Sequence, residues 1–313
     1  MTAVTVGTVR LGTRRSALAL AQAVAVADAL RRTGHEVELV EVVTEGDRSS
    51  EALNQLGGTG VFVTELRQQL LSGEIDVAVH SLKDLPTTGP DGIVLAAIPG
   101  RADPRDALVA RDGLGLSELP AGATVATGSP RRAAQLRALG LGLEVTPIRG
   151  NVDTRLRRVS TGEVDAVVLA AAGLQRLGRL DEATELLDPG QMLPAPGQGA
   201  LAVECRADDP VRRDWLSATL DDETTRSAVT AERALLAALE AGCSAPVGAL
   251  ADVSTADVGP DEIYLRAVVA AVDGARTIRL SITGPSNDAP ALGHQLARDL
   301  LDAGAADLMD GAG

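Results

Sequence analysis

The sequence predicts an α/β protein, with two α/β domains joined by crossing strands and a small α+β domain at the C-terminus. Three observations carry that expectation. Over the first two hundred residues, short strand-like runs alternate with stretches whose apolar residues recur at helical spacing. Two passages rich in proline and glycine, Pro99-Gly100-Arg101-Ala102-Asp103-Pro104 and Leu193-Pro-Ala-Pro196-Gly-Gln198-Gly199, look like places where the chain leaves one domain and returns. Beyond about Asp221 the pattern changes to a helix, three strands and a closing helix. The expected division is residues 1–99 with 200–217, residues 105–193, and residues 222–313; 313 residues suit two or three domains of roughly 100–200 residues each.

Taken in order, Val6–Gly12 reads as a strand and Ser16–Arg32 as a helix that Gly34 stops. Glu36–Thr44 alternates as a strand, Phe62–Ser72 is an amphipathic helix, and Asp76–Ser81 is a strand again. The polar stretch from Thr44 to Gly60, with Gly57, Gly58 and Gly60 and with Phe62 at its edge, is long for a structureless connection and is expected to be a flexible functional loop. In the second domain the strand Thr124–Thr127 passes through Gly128-Ser129-Pro130 into a helix, Arg131–Leu139. The strand Glu144–Pro147 turns at Arg149-Gly150-Asn151, and Asn151 or Asp153 caps a helix through Val159. Asp165–Ala170 then runs towards Arg176, and Ala200–Cys205 is the returning strand. The last domain combines helix Ala228–Glu240, strands near Val247–Val253, Ile263–Val272 and Thr277–Thr283, and a helix near Pro290–Ala303. Asp273-Gly274 is a hairpin signal, and the last ten residues are expected to fray.

Composition narrows the function. Phe62, Trp215 and Tyr264 are the only aromatic residues, so the core is built from Leu, Val, Ile and Ala. No base-stacking platform for single-stranded nucleic acid can be assembled from them. A net charge of −14 repels polyanions, so an anionic ligand must be captured by arginines gathered locally. No apolar run reaches the about 18 residues of a membrane span, and the N-terminus lacks a basic region followed by an apolar one. Cys205 and Cys243 are too few for a disulfide framework or a zinc site. A cytoplasmic protein with no nucleic-acid, membrane or metal partner is expected.

Of the 29 basic side chains a single one is lysine, Lys83, beside Asp84 at the carboxyl end of a predicted strand, where open α/β sheets place ligands. A solvated surface lysine is the bland alternative. Arg14, Arg15, Arg131, Arg132, Arg149 and Arg155 also stand just beyond strands or in the first turns of helices. Helix N-termini and guanidinium forks both favour carboxylate or phosphate, although any one arginine taken alone reads equally as a solvated charge. Neither a P-loop nor a dinucleotide-binding glycine pattern is present. Cys243, in Gly242-Cys243-Ser after a predicted helix, is a candidate accessible thiol, whereas Cys205 on a strand reads as a small core residue.

The ordered set Gly-Thr-Arg14-Arg-Ser16-Ala-Leu-Ala, Gly-Gly-Thr-Gly60-Val-Phe62, Val-His-Ser81-Leu-Lys83-Asp84-Leu-Pro, Asp103-Pro-Arg-Asp106-Ala, Thr127-Gly-Ser129-Pro-Arg131-Arg132, Ile-Arg149-Gly-Asn151-Val-Asp-Thr-Arg155-Leu, Pro-Gly-Gln198-Gly199-Ala and Gly242-Cys243 resembles the hydroxymethylbilane synthase, or porphobilinogen deaminase, family. The resemblance runs from Arg10 to about Gly248 and the remainder suits the family's small third domain. It implies a transferase that joins four porphobilinogen molecules head to tail with loss of ammonia, then releases the linear tetrapyrrole with water. It further implies a dipyrromethane cofactor bound to Cys243 through a thioether and a monomeric state. Asp84 would be catalytic. Arg14, Lys83, Arg131, Arg132, Arg149, Arg155 and Arg176 would bind cofactor or substrate, with Ser16, Ser81, Thr127, Ser129, Asn151, Gln198 and Gly199 adding hydrogen bonds. Gln55 and Thr59 depart from a family loop that often carries lysine, Gly128 and Pro130 replace the Ser and Leu common in that turn, and Ala17 replaces a frequent proline.

Two α/β domains joined by crossing strands also resemble the periplasmic binding proteins. A non-catalytic small-anion-binding protein is therefore the rival reading, opposed by the Lys83–Asp84 pair. An acyl-transfer enzyme built on Cys243 would need His35, His80 or His294 as base, and none is near it in sequence.

Overall fold

The computed structural model describes residues 7–42, 60–241, 245–255, 259 and 261–310. Its first strand, β1 (Val9–Arg14), buries Val9 and Leu11 on one face and Gly12 on the other, as a strand covered on both faces does. Ser16 then caps α1 (Ala17–Arg31), its Oγ accepting from the Ala19 N–H at 3.2 Å. β2 (Val37–Val42), α2 (Gly60–Ser72), β3 (Val77–Ser81) and β4 (Ile93–Ala97) follow. The middle of the chain forms β5 (Asp106–Ala110), β6 (Thr124–Thr127), α3 (Pro130–Ala138), β7 (Glu144–Pro147), α4 (Val152–Ser160), β8 (Ala166–Ala170), α5 (Ala171–Arg176) and β9 (Glu185–Leu186). The returning strand β10 (Leu201–Arg206) leads to α6 (Pro210–Leu220) and α7 (Glu223–Ala238). β11 (Val247–Ser254), β12 (Glu262–Ala270), β13 (Thr277–Pro285), α8 (Ala289–Asp302) and α9 (Ala305–Asp310) complete the described chain.

The first two sheets share one plan. In the order β2-β1-β3-β10-β4, β1 is parallel to both its neighbours and β10 runs antiparallel between β3 and β4. In the order β7-β6-β8-β5-β9, β6 is parallel to β7 and β8, and β5 runs antiparallel between β8 and β9. β10 is the returning strand that the sequence implied, and β5 takes the same place in the second sheet. The third sheet, β11-β12-β13, is antiparallel throughout, and its hairpin turns at Asp273-Gly274, with Gly274 at φ +76°.

Contacts divide the chain into two units, Met1–Arg101 with Ala200–Arg226, and Ala102–Gly199 with Ser227–Gly313. In the first, Leu11, Ala27, Leu30, Val203, Cys205 and Leu216 share one core. The one tryptophan, Trp215 on α6, lies against the His35 ring with centroids 4.4 Å apart. In the second unit, both faces of the β5–β9 sheet are packed, and α7, α8 and α9 cover the third sheet with Leu235, Leu296, Leu300 and Leu308.

Several expectations need correcting. Gly60 and Phe62 do not belong to the loop: their backbone forms the first turn of α2, where a glycine is tolerated because the first N–H groups of a helix have no intrahelical partner. Gly57 and Gly58 lie outside the described residues. The final residues do not simply fray, since α9 runs to Asp310 and seats Leu308 in the core at 6% exposure. α7 begins five residues before the expected start, at Glu223 rather than Ala228. β4, β5 and β9 were not foreseen, because their short apolar runs carry no alternation to distinguish strand from helix.

In the second unit α8 packs closely against α7 at Gly293. A Cβ there would stand 2.3 Å from the Ala231 carbonyl oxygen and 2.7 Å from the Ala234 Cβ on α7. Gly293→Ala is expected to destabilise the protein by about 1–3 kcal/mol, as overpacking of a filled core does. Urea unfolding measures this, and an unchanged midpoint would contradict the packing described.

Candidate active site

In the first unit, β1 and β3 end side by side. β1 delivers Arg14 and the cap Ser16. β3 delivers Ser81, whose Oγ accepts from Gln22 Nε2 of α1 at 2.8 Å. A single 3-10 turn, Leu82–Asp84, follows, closed by the Leu85 N–H to the Leu82 carbonyl at 3.1 Å. Leu82 and Leu85 are buried at 0% and 3% exposure and anchor the turn, and the Leu82 N–H donates to Ala200 at 3.0 Å. Lys83 and Asp84 are left half-buried on that turn. Among the described residues, no hydrogen bond or ion pair reaches the Asp84 carboxylate.

Behind this turn lies a network that sequence reasoning missed. His80 and Glu204, on β3 and β10, are both buried. Arg67 of α2 donates to both Glu204 oxygens, Nε at 3.0 Å and Nη2 at 2.7 Å, and His80 Nε2 lies 3.3 Å from Glu204 Oε2. Burial works against the Glu204 charge, but the adjacent His80 ring and the hydrogen-bonded Arg67 guanidinium outweigh it and hold the carboxyl down at about 2. The reverse applies to Cys205, whose thiol is pushed up to about 11 chiefly by burial; it is the inert core cysteine that its strand position implied.

In the second unit, α3 opens at the end of β6. Ser129 caps it, its Oγ accepting from the Arg132 N–H at 3.4 Å, and Thr127 Oγ1 accepts from the Ser129 N–H at 3.2 Å. Pro130 occupies the first helical position, where a missing N–H does no harm. Gly128 is required by proximity, because a Cβ would come 2.7 Å from the Ile148 carbonyl oxygen. Arg131 and Arg132 are buried, at 3% and 5% exposure, against a carboxylate of the second unit, Asp106, at 0%. Asp106 Oδ2 accepts from Arg131 Nη1 at 2.8 Å, and Oδ1 accepts from Arg132 Nε at 3.0 Å and Nη2 at 2.8 Å. Gln198 Nε2 adds a further bond to Oδ1 at 2.8 Å and another to the Pro104 carbonyl. Despite full burial, the two guanidiniums hold the Asp106 carboxyl well below the usual carboxylate range.

The remaining second-unit residues stand at turns and helix ends. Asn151 caps α4, its Oδ1 accepting from the Thr154 N–H at 2.9 Å. Arg155 Nε donates to the Gly150 carbonyl at 2.9 Å, and burial, with the charge of Arg132, lowers its guanidinium below the ordinary value. Arg176, at the end of α5, donates to the Gly199 carbonyl at 2.6 Å and is likewise lowered by burial. Gly199 sits at φ +90°, and a Cβ there would come 2.5 Å from the Ala102 carbonyl oxygen, so no other residue fits. Arg149 is exposed. Cys243 lies outside the described residues. Asp106 could have been found from sequence: a carboxylate opening the apolar run Ala107–Ala110 must be buried with that strand and therefore needs cations.

A carboxyl depressed by folding stabilises the native state above its unfolded pKa and loses that contribution as pH falls through the folded value. For Glu204 the window runs from about 5 down to about 2. Glu204→Gln is expected to cost about 3–5 kcal/mol at neutral pH, because it strips a buried cation of its partner, and the gap from the parent should narrow on acidification across that window. Denaturant unfolding against pH measures this; a gap that stays constant would refute it.

Comparison with known proteins identifies the family. The family model described as "Porphobilinogen deaminase, dipyromethane cofactor binding domain" matches residues 9–214, and "Porphobilinogen deaminase, C-terminal domain" matches residues 227–302. Porphobilinogen deaminase of Mycobacterium marinum is 59% identical over 309 residues, covering 97% of this chain and 98% of that protein. Porphobilinogen deaminase 1 of Streptomyces avermitilis is 60% identical over 316 residues, covering 96% and 97%. Among solved structures, a periplasmic substrate-binding protein of an ABC transporter from Coxiella burnetii is 18% identical at a TM-score of 0.44, covering 68% of this chain and 91% of that one; that likeness is too loose to bear on function. Two family domains spanning most of the chain, and relatives matched over almost their full length, establish that this chain belongs to the porphobilinogen deaminase family, the transferases also called hydroxymethylbilane synthases, and carries their dipyrromethane cofactor-binding domain.

Proposed function

We propose that in this member of the family Asp84, beside Lys83, promotes the head-to-tail condensation of four porphobilinogen molecules on a dipyrromethane attached to Cys243, before water frees the linear tetrapyrrole hydroxymethylbilane. The observation that carries the assignment is the contrast between two aspartates. Asp106 is enclosed and saturated by two arginines and a glutamine. Asp84 is half-buried at a strand end, and its carboxylate has no partner among the described residues. An ionised carboxylate only accepts hydrogen bonds, and one held open on a rigid turn is suited to stabilise positive charge developing on a ligand.

Each porphobilinogen carries an acetate and a propionate, so every unit added brings two negative charges. That explains a chain with many arginines near its strand ends although its net charge is −14. Deamination breaks the bond between the aminomethyl carbon and nitrogen. The electron pair leaves with nitrogen, which takes up a proton, and a cationic azafulvene remains. Asp84 accepts from the pyrrole N–H of that cation and stabilises it. The new carbon–carbon bond then forms and a proton is lost from the attacking pyrrole.

The residues present fit the dipyrromethane. Its acid side chains require N–H donors, and Arg131 Nε is buried with nothing accepting from it among the described residues. Arg131 and Arg132 would hold its carboxylates, with Thr127, Ser129 and Gln198 close to the same arginines; Lys83 would bind a carboxylate of cofactor or substrate. When bound, the group supplies the pyrrole terminus to which substrate is joined. Arg14, Arg149, Arg155 and Arg176 would pair with cofactor or substrate carboxylates. For Arg155 and Arg176, whose charge burial disfavours, an arriving carboxylate relieves that cost. Ser16, Ser81, Asn151 and Gly199 would supply further hydrogen bonds. The reading extends to a cytoplasmic monomer without nucleic-acid or membrane partners; of these, the repulsion of polyanions at this net charge supports the absence of a nucleic-acid partner.

Intact-protein mass spectrometry tests the reading. The parent chain is expected to weigh more than its sequence by two linked pyrrole units, and Cys243→Ser to lack that excess. Porphobilinogen should add further single-pyrrole steps to the parent, whereas an unmodified parent that porphobilinogen cannot shift would favour the small-anion-binding alternative. Asp84→Ala is expected to keep the mass excess and the parent's thermal midpoint yet lose nearly all turnover; turnover close to that of the parent would remove Asp84 from the mechanism.

A further inference from the structure

Two arginines and one aspartate make up the buried charge at the start of α3, so the cluster carries one uncompensated positive charge. Its geometry is fixed from several sides. Arg131 Nη1 donates to both Asp106 Oδ2 and the Leu193 carbonyl, at 2.8 and 2.5 Å. Arg132 Nη1 donates to the Val168 carbonyl of β8 at 3.0 Å, while its Nε and Nη2 grip Asp106 Oδ1. Gln198 joins the crossing segment to the cluster, donating to Asp106 Oδ1 and receiving from Arg132 Nη2 at 3.5 Å. Against this near-complete saturation, Arg131 Nε is buried with no acceptor among the described residues.

We propose that Asp106 is a positioning residue for the anion site: it aligns the Arg131–Arg132 pair and cancels one of its two charges, so that a single carboxylate of the bound ligand completes the balance. The inference rests on the function proposed above. Asp106 touches neither substrate nor cofactor in this account and acts only through the two guanidiniums. Without its charge the pair carries two uncompensated positive charges in a buried setting, where attraction to an anion is strong. The pair then recruits anions from solution that compete with the ligand's own carboxylates.

The test compares the purified parent with Asp106→Asn, which keeps the shape and removes the charge. Primer occupancy is read by intact mass, and porphobilinogen KM and kcat are measured per primed molecule with and without inorganic phosphate. Asp106→Asn is expected to show reduced occupancy and a higher KM. It should also be inhibited competitively by phosphate at about ten-fold lower concentration than the parent, the change that roughly 1.4 kcal/mol of added anion affinity produces. Asp106→Asn with Gln198→Glu moves the carboxylate to a side chain already 2.8 Å away and should recover much of the parent's phosphate resistance. Lower thermal stability with unchanged occupancy, KM and phosphate response would make Asp106 merely structural and overturn the proposal. Should Asp106→Asn fail to fold, Asp106→Glu keeps the charge and displaces the forks; it should raise KM without new phosphate sensitivity, and an unchanged KM would overturn the proposal equally. A parent that carries no primer would instead defeat the functional reading itself.

Discussion

The arrangement of the second unit depends on one buried carboxylate. Asp106 opens β5, yet its side chain is bonded to α3 and to the crossing segment at Gln198, and Arg132 continues the link to β8. A charge removed so fully from water is tolerable only when its lone pairs are met, and here four N–H groups meet them. The pairing fixes α3 in direction, not merely in place, because a guanidinium presents its donors in a rigid planar fork. At Arg132 it also favours arginine over lysine: Nε and Nη2 meet Asp106 while Nη1 reaches the Val168 carbonyl, a spread of donors over three nitrogens that a single ammonium nitrogen lacks.

The two large sheets repeat one strand plan but distribute chemistry unequally. The β6-centred unit concentrates guanidiniums and capping groups. The β1-centred unit supplies the single lysine and an aspartate held on a short turn by Leu82 and Leu85. Beneath that turn, the Arg67–Glu204–His80 network does for β3 and β10 what the Asp106 cluster does for β5 and α3: it neutralises buried charge internally. In both units, therefore, the charges bound within the protein can be distinguished from those left for a ligand.

Much of this was legible in the sequence where the signal is local. Ser16, Ser129 and Asn151 cap helices because each precedes an apolar or basic helical run, and the Asp273-Gly274 hairpin follows from turn chemistry alone. Cys205 reads as core from its apolar neighbours. What escaped depends on contacts distant in sequence. Asp106 opens an apolar run, but which cations meet it is decided only when Arg131 and Arg132 are folded over it. Glu204 is likewise unremarkable without Arg67, 137 positions away. Gly293 gives no turn signal because it lies inside a helix, and only the approach of α7 excludes a side chain. The helix α9 was missed because its anchor, Leu308, draws its stability from the sheet it covers rather than from its own short sequence.

The scarcity of aromatic side chains has a further consequence. Trp215 is the only tryptophan, and it packs against His35 within the first unit. Its ultraviolet emission therefore arises from a single known environment, free of overlap from other indoles. Excited beyond tyrosine absorption, the chain thus contains a built-in optical label for one unit, while the unit that holds Tyr264 has no indole of its own.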